Sequence, residues 1–208
     1  MMHRRPAPAR LAGWRDRRYP EQMTDTSEYL SDANIRERLD TERRLLRERL
    51  GAIPGEMQVR RPSPDRWSIA EVVEHLARIE SGVTKLLSHF GAASPAADVP
   101  RPAVTAYATP ELGRRVRHRG TRIEAPERVR PGGGLDATVA LAQLESARAA
   151  LLAAFAAANR DAVDVHTYPH PVFGPLTLRS WVSVTADHEA RHSAQIAEIA
   201  EQLGASVG

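Results

Sequence analysis

The sequence predicts an all-α protein, a four-helix bundle with one long crossover connection between helices 2 and 3. Three observations carry that expectation. Apolar residues make up 42% of the chain but aromatics only 5%, and Ala and Leu dominate, a composition that favours packed helices over sheet. Four segments place apolar residues at three- and four-residue spacing with charged residues between them. Between the second and third of these lie about 44 residues, 91–134, rich in Pro, Gly and Arg. A structureless loop of that length is uncommon in a compact domain, so this one is functional or holds short elements of its own.

Taken in order, residues 1–27 read as a basic, disordered tail and residues 28–204 as the folded domain, with Met23 in MTDTSEYL an alternative start. The first helix spans roughly Ser31 to Leu50 and carries Ile35, Leu39, Leu45, Leu46 and Leu50. The second opens on WSIAE, where Ser68 and Glu71 form a capping box ahead of Ile69, Val72, Val73, Leu76, Ile79, Val83 and Leu86. In the connection that follows, VTAYAT (Val104 to Thr109) reads as a short strand. The third helix runs from the N-cap Asp136 to about Ala158, with Val139, Leu144, Leu151, Leu152 and Phe155. VHTYPHP then reads either as a turn-rich linker or as a segment placing His166 and His170 at the mouth of a site. The fourth helix begins near Thr177, after Gly174-Pro175, and Gly204 is placed to end it.

Charge and composition exclude several classes. Residues 1–22 hold six arginines against Asp16 and Glu21, a local +4; with +3 for the whole chain, the remainder is near −1. The basic pI therefore belongs to the tail, and a nucleic-acid partner has little support. The tail lacks the apolar core of a secretory signal, and no run is expected to span a membrane, so a cytoplasmic location follows as the expectation. Without cysteine, there is no disulfide, thiolate nucleophile or zinc–sulfur ligation; any transition-metal site must use His and carboxylates.

The most informative string is HEARH, His188 to His192. Two histidines four apart on a helix share a face and reach one metal ion. The string also matches the HExxH pattern of zinc proteases. That reading fails on what is missing. Only sixteen residues follow His192, and the positions that should hold Gly and His in the longer motif hold Gln195 and Glu198. Glu189 occupies the general-base slot but lies about 100° round the helix from His188, toward solvent or a neighbouring helix. His75 falls on the strip of Val72, Ile79 and Leu86, so three histidines from two helices face the bundle interior. They are either hydrogen-bonded core residues or ligands of one metal, which would satisfy all three buried imidazoles at once.

The segment PSPDRWSIAEVVEHLARIE (62–80), the run IEAPERVRPGGG (123–134) and HPVFGPLTLRSWVSVTADHEARHSAQI (170–196) resemble the DinB superfamily, also known as YfiT-like metal-dependent hydrolases. The resemblance covers roughly residues 28–203. It implies a four-helix bundle whose metal ligands, carried over, are His75, His188 and His192. It also implies activities ranging from thiol-dependent S-transfer with bacillithiol or mycothiol to mycothiol-dependent maleylpyruvate isomerisation. A three-His site leaves coordination positions open, and a metal there lowers the pKa of a bound water or thiol. The expected function is a small-molecule transferase or hydrolase that uses such a nucleophile, with Zn²⁺ favoured over Ni²⁺ or Fe²⁺ and a low-molecular-weight thiol as a further cofactor candidate. The alternative is a non-catalytic, metal-stabilised helical-bundle binding protein, for instance a homodimer. Secondary candidates are Gln195, to bond a metal-bound water; Asp187 or Glu74, to orient a ligand imidazole; and the cluster Arg114, Arg115, Arg117, His118 and Arg119, read as a solvated face or an attractor of anionic substrate.

Overall fold

The computed structural model describes residues 25–96, 98–120 and 123–204; the expected tail up to residue 24 lies outside them. The elements are α1 (Thr26–Tyr29), α2 (Asp32–Gly51), α3 (Gly55–Gln58), α4 (Ile69–Phe90), α5 (Pro110–Arg117), α6 (Ala137–Ala157), α7 (Arg160–Val165), β1 (Thr167–His170), β2 (Gly174–Thr177) and α8 (Leu178–Gln202). Single 3₁₀ turns lie at Val104–Ala106 and Glu127–Val129. The four long helices α2, α4, α6 and α8 are the four read from the sequence, and their starts are set by local chemistry. Ser31, Asp136 and Thr177 each accept a backbone N–H at the N-cap of α2, α6 and α8. At α4 both halves of the Ser68–Glu71 capping box are formed. Gly204, at φ 75°, follows the end of α8 as the expected stop.

Two apolar clusters fill the bundle. One gathers Ile35 and Leu39 of α2, Val83 and Leu87 of α4, Leu151 and Phe155 of α6, and Val182 and Val184 of α8. The other gathers Leu46 and Leu50, Val72, Val73, Leu76 and Ala77, Ala140 and Leu144, and Ile196 and Ile199 from the same helices in the same order. The order in which each helix visits the clusters gives its direction: α2 and α8 run one way, α4 and α6 the other. α4 packs along α6, so these neighbours are parallel. A chain leaving the end of α4 must travel back the length of the bundle before α6 can start, which accounts for the long connection.

Between the clusters one buried charged residue from each long helix joins a shared ionic layer: Arg43, Glu80, Arg148 and Glu189. Arg43 donates to Glu189 at 2.7 Å and to Glu80 at 2.8 Å; Arg148 donates to Glu80 at 2.8 and 3.1 Å and also pairs with Glu189. Each acid meets both bases, so no buried charge is left uncompensated. α6 is the one helix among the described residues with the length and apolar composition of a membrane span, contrary to the expectation that no run comes close. Its two charged residues turn inward to this layer and its edge: Arg148 is buried and Glu145 bonds Arg43 and Arg47.

Two local expectations are corrected. Val104–Thr109 is a 3₁₀ turn leading into the Thr109 cap of α5, not a strand, because Thr109-Pro110 initiates a helix there. The segment VHTYPHP is not a linker. Its residues 167–170 form β1, paired antiparallel with β2 in a hairpin that leads into α8.

Candidate metal centre

His75 projects from the first half of α4, and His188 and His192 from the middle of α8, one turn apart. The three rings converge, with centroid separations of 5.3 Å (His75–His188), 4.9 Å (His75–His192) and 4.4 Å (His188–His192). One nitrogen from each lies within 4.8 Å of the other two. Among the described residues this is the cluster of His and acidic groups able to hold a metal.

Hydrogen bonds at the far side of two rings decide which nitrogen each presents. His75 Nδ1 meets the carbonyl of Val129 at 2.7 Å, and His192 Nδ1 meets Oε1 of Gln195 at 2.7 Å. An oxygen acceptor at Nδ1 fixes the proton there and leaves Nε2 with a free lone pair aimed at the other rings. The Nε2 atoms of His188 and His192 stand 3.2 Å apart. Two imidazole nitrogens on one tetrahedral zinc sit about 3.3 Å apart, given bonds of about 2.0–2.1 Å. His188 Nδ1 is buried and has no partner. It stays unpartnered, at a cost of about 1–3 kcal/mol, whether His188 Nε2 donates to His192 or holds a cation. Burial holds all three imidazoles below the ordinary histidine range, and His188 and His192 well below it, each depressed further by its neighbouring imidazoles. Three neutral imidazoles with converging lone pairs fit a divalent cation of borderline softness.

The long connection packs beside this site on both helices that carry it. Beyond α5, Arg191 of α8 donates to the carbonyls of Val116 and His118. Arg119 grips Glu198 with two bonds at 2.6 and 2.7 Å and reaches Gln195 Oε1 at 3.5 Å, so it stands behind the oxygen that orients His192. The 3₁₀ turn Glu127–Val129 then supplies the carbonyl for His75. Next, Gly132 and Gly133 donate backbone N–H groups to Glu74, at 2.9 and 3.3 Å, fastening the chain one residue from His75. Gly133 has φ 79°, a left-handed conformation that makes this turn onto α4 cheap only for glycine. Burial alone would raise the Glu74 carboxyl; those amides and Arg78 hold it below the usual carboxylate range.

Several expected roles fall elsewhere. Asp187 does not touch a ligand imidazole. It is fully buried on the adjoining face, accepting from Arg38 at 3.1 Å, Arg117 at 2.7 Å and the Tyr29 hydroxyl. Glu74 orients the connection, not a histidine. Glu189 faces α2 and α6, its two carboxylate oxygens taken by Arg43 and Arg148. Gln195 lies on the histidine strip as read, with its amide oxygen on His192. The arginine cluster is not one solvated face: Arg117 and Arg119 bond inward, Arg114 pairs with Glu111, and Arg115 lies over the ring of Phe173, 5.7 Å from its centroid. The Val129 carbonyl could not be found from sequence, because a backbone acceptor carries no residue signature.

A bundle whose second and last long helices bring three imidazoles within reach of one ion defines a helical-bundle protein with a candidate metal centre. The chain belongs to the DinB superfamily, whose family model matches residues 38–196. It is 28% identical over 144 residues to the uncharacterized protein YuaE of Bacillus subtilis (strain 168), an alignment covering 69% of this chain and 83% of that one. Among solved structures it is similar to TT2238, described as a four-helix bundle protein, with TM-score 0.52 and 24% sequence identity, covering 80% of this chain and 98% of the other. That likeness shows the fold.

Proposed function

We propose that the protein is a metal-dependent enzyme of small-molecule chemistry, a transferase or hydrolase in which His75, His188 and His192 hold a divalent cation, Zn²⁺ before Ni²⁺ or Fe²⁺. The observation that carries this reading is the tautomer arrangement: two Nδ1 atoms bonded outward, and Nε2 lone pairs converging. When bound by three histidines, such an ion acidifies a water or thiol ligand and so supplies a nucleophile near neutral pH. The chain's own part is to keep the three imidazoles neutral by burial, to orient them through Val129 and Gln195, and to limit access with the connection. With no cysteine in the sequence, a thiol nucleophile would have to come from a small soluble thiol. Superfamily membership supports metal dependence in general.

The test is elemental analysis of untagged protein, wild type beside His75→Ala and His188→Ala, followed by turnover of an activated aryl halide with a panel of low-molecular-weight thiols. About one metal per chain, lost in both variants together with turnover, is the expected result. A folded wild type that takes up no Zn²⁺, Ni²⁺ or Fe²⁺ would reduce the cluster to core packing.

A further inference from the structure

His170 ends β1, and the proposed metal reaction gives it no role. Its Nδ1 accepts backbone N–H groups from Val172 at 3.2 Å and Phe173 at 3.3 Å, so the ring is pinned by its own turn with Nδ1 as acceptor. In the neutral ring the proton is then on Nε2. Burial pushes this histidine down to about 4, so it is neutral at ordinary pH. No protein acceptor meets Nε2 among the described residues. The imidazole is held between two aromatics, Phe173 stacked at 4.7 Å and Trp181 at 4.8 Å. Trp181 is itself fixed, its indole N–H donating to the Tyr168 carbonyl at 3.0 Å. It lies on α8 two turns before His188, on the same strip, and His170 is near enough to His188 for their charges to interact.

One ring further out, Arg115 is exposed, lies over Phe173 and has no carboxylate partner among the described residues. Its neighbours Arg114, Arg117 and Arg119 all have one. A rigid neutral donor and an uncommitted guanidinium thus share Phe173 as a neighbour, and Trp181, against the same imidazole, lies two turns before His188.

We propose that the β1–β2 hairpin, together with Arg115 of α5, is the substrate-recognition subsite, and that it selects a small carboxylate with a flat apolar body. The carboxylate accepts from His170 Nε2–H and Arg115, and the apolar body rests against Phe173 and Trp181. The proposal names the substrate class for the metal-site reading above and rests on it for the chemistry, but the subsite is built from other residues and binds on its own account. Charge-assisted bonds to the anion set the preference over a neutral isostere.

Benzoate and benzamide, titrated calorimetrically into wild type, Arg115→Met, His170→Phe and the metal-ligand variant His75→Ala, test it. His170→Phe keeps an aromatic ring between Phe173 and Trp181, and Arg115→Met changes an exposed side chain, so at least one of the two variants keeps the fold. Expected is benzoate binding about tenfold tighter than benzamide in wild type, a preference lost in Arg115→Met and His170→Phe at unchanged metal content, and retained in His75→Ala. No benzoate binding at millimolar concentration, equal binding of the two probes, or an undiminished preference in Arg115→Met and His170→Phe would overturn the subsite. Wild type that takes up no Zn²⁺, Ni²⁺ or Fe²⁺ yet prefers benzoate would sink the metal-enzyme reading and leave the subsite standing.

Discussion

Gln195 and Glu42 show how single side chains in this bundle are set by what they face. Gln195 has no charge, yet its amide oxygen fixes the proton of His192. Gln195→Ala is expected to weaken metal binding about 10–100-fold while leaving the stoichiometry unchanged at saturating metal, measured by competition with a chromogenic chelator. An unchanged affinity would mean that burial alone orients His192. Glu42, on α2, is buried, and its carboxyl is pushed up to about 7, first by burial and then by the nearby Glu189 charge, against the pull of Arg117. In the unfolded chain the same group ionises near 4.5. The folded state therefore holds the extra proton between these values, and stability is lost as pH rises from about 4.5 to about 7. Glu42→Gln should remove that loss: roughly 2–3 kcal/mol more stable than wild type near pH 8, and no more stable near pH 4, read from urea midpoints at both pH values. A gain that does not change with pH would show that Glu42 stays ionised throughout. Asp187 was read from sequence as a potential partner of a ligand imidazole, and Glu189 as facing solvent or a neighbouring helix. Angular position on a helix states which side a residue takes, but not which neighbour waits there, and here arginines from α2, α5 and α6 wait on those sides.

At the level of the element, legibility followed the amount of local information. The four long helices were readable because periodicity and capping chemistry are written within each segment. Ser68→Ala breaks one half of the capping box and is expected to cost about 1 kcal/mol, measured by thermal or urea unfolding, with Glu71→Gln costing less because its amide can still reach the Ser68 N–H. α1, α3, α5 and α7, at four to eight residues, were not readable. Such pieces are too short to be stable alone and form only where the bundle offers a surface. α5 does so against α8, where Gly113 lets its backbone pass so close to Tyr29 and Asp187 that a Cβ would clash with both. The hairpin was hidden by its prolines, Pro169 and Pro175, which face each other across the ladder and read in sequence as breakers.

Across the whole molecule, the least legible feature was the charged layer between the two apolar clusters. Arg43, Glu80 and Glu189 sit in helices with many other charged residues, and nothing in a single sequence distinguishes these inward charges from the outward ones; Arg148, in the apolar α6, gives no sign of its partners. The mutual pairing of the four makes the layer all-or-none. Arg148→Met should destabilise by about 3–5 kcal/mol, because Glu80 and Glu189 are each left short of a partner in the interior, as measured by urea unfolding. An effect below about 1 kcal/mol would mean that water reaches the layer. The direction of the helices has a further consequence. Parallel packing of α4 and α6 obliges the chain to make one long excursion, and the cost of closing an excursion rises only with the logarithm of its length, by about 0.6 kcal/mol for each doubling. The bundle can therefore accept changes of length in the exposed stretches of residues 91–134 at little expense to folding, whereas α5 must be kept, with Gly113 close against Tyr29 and Arg117 on buried Asp187; the same segment carries the Val129 carbonyl, Arg119 and Arg115. Length and packing are thus separate demands on one segment, so directed evolution confined to its exposed stretches should alter binding preferences before it threatens the bundle, whereas substitutions in α5 should destabilise it first.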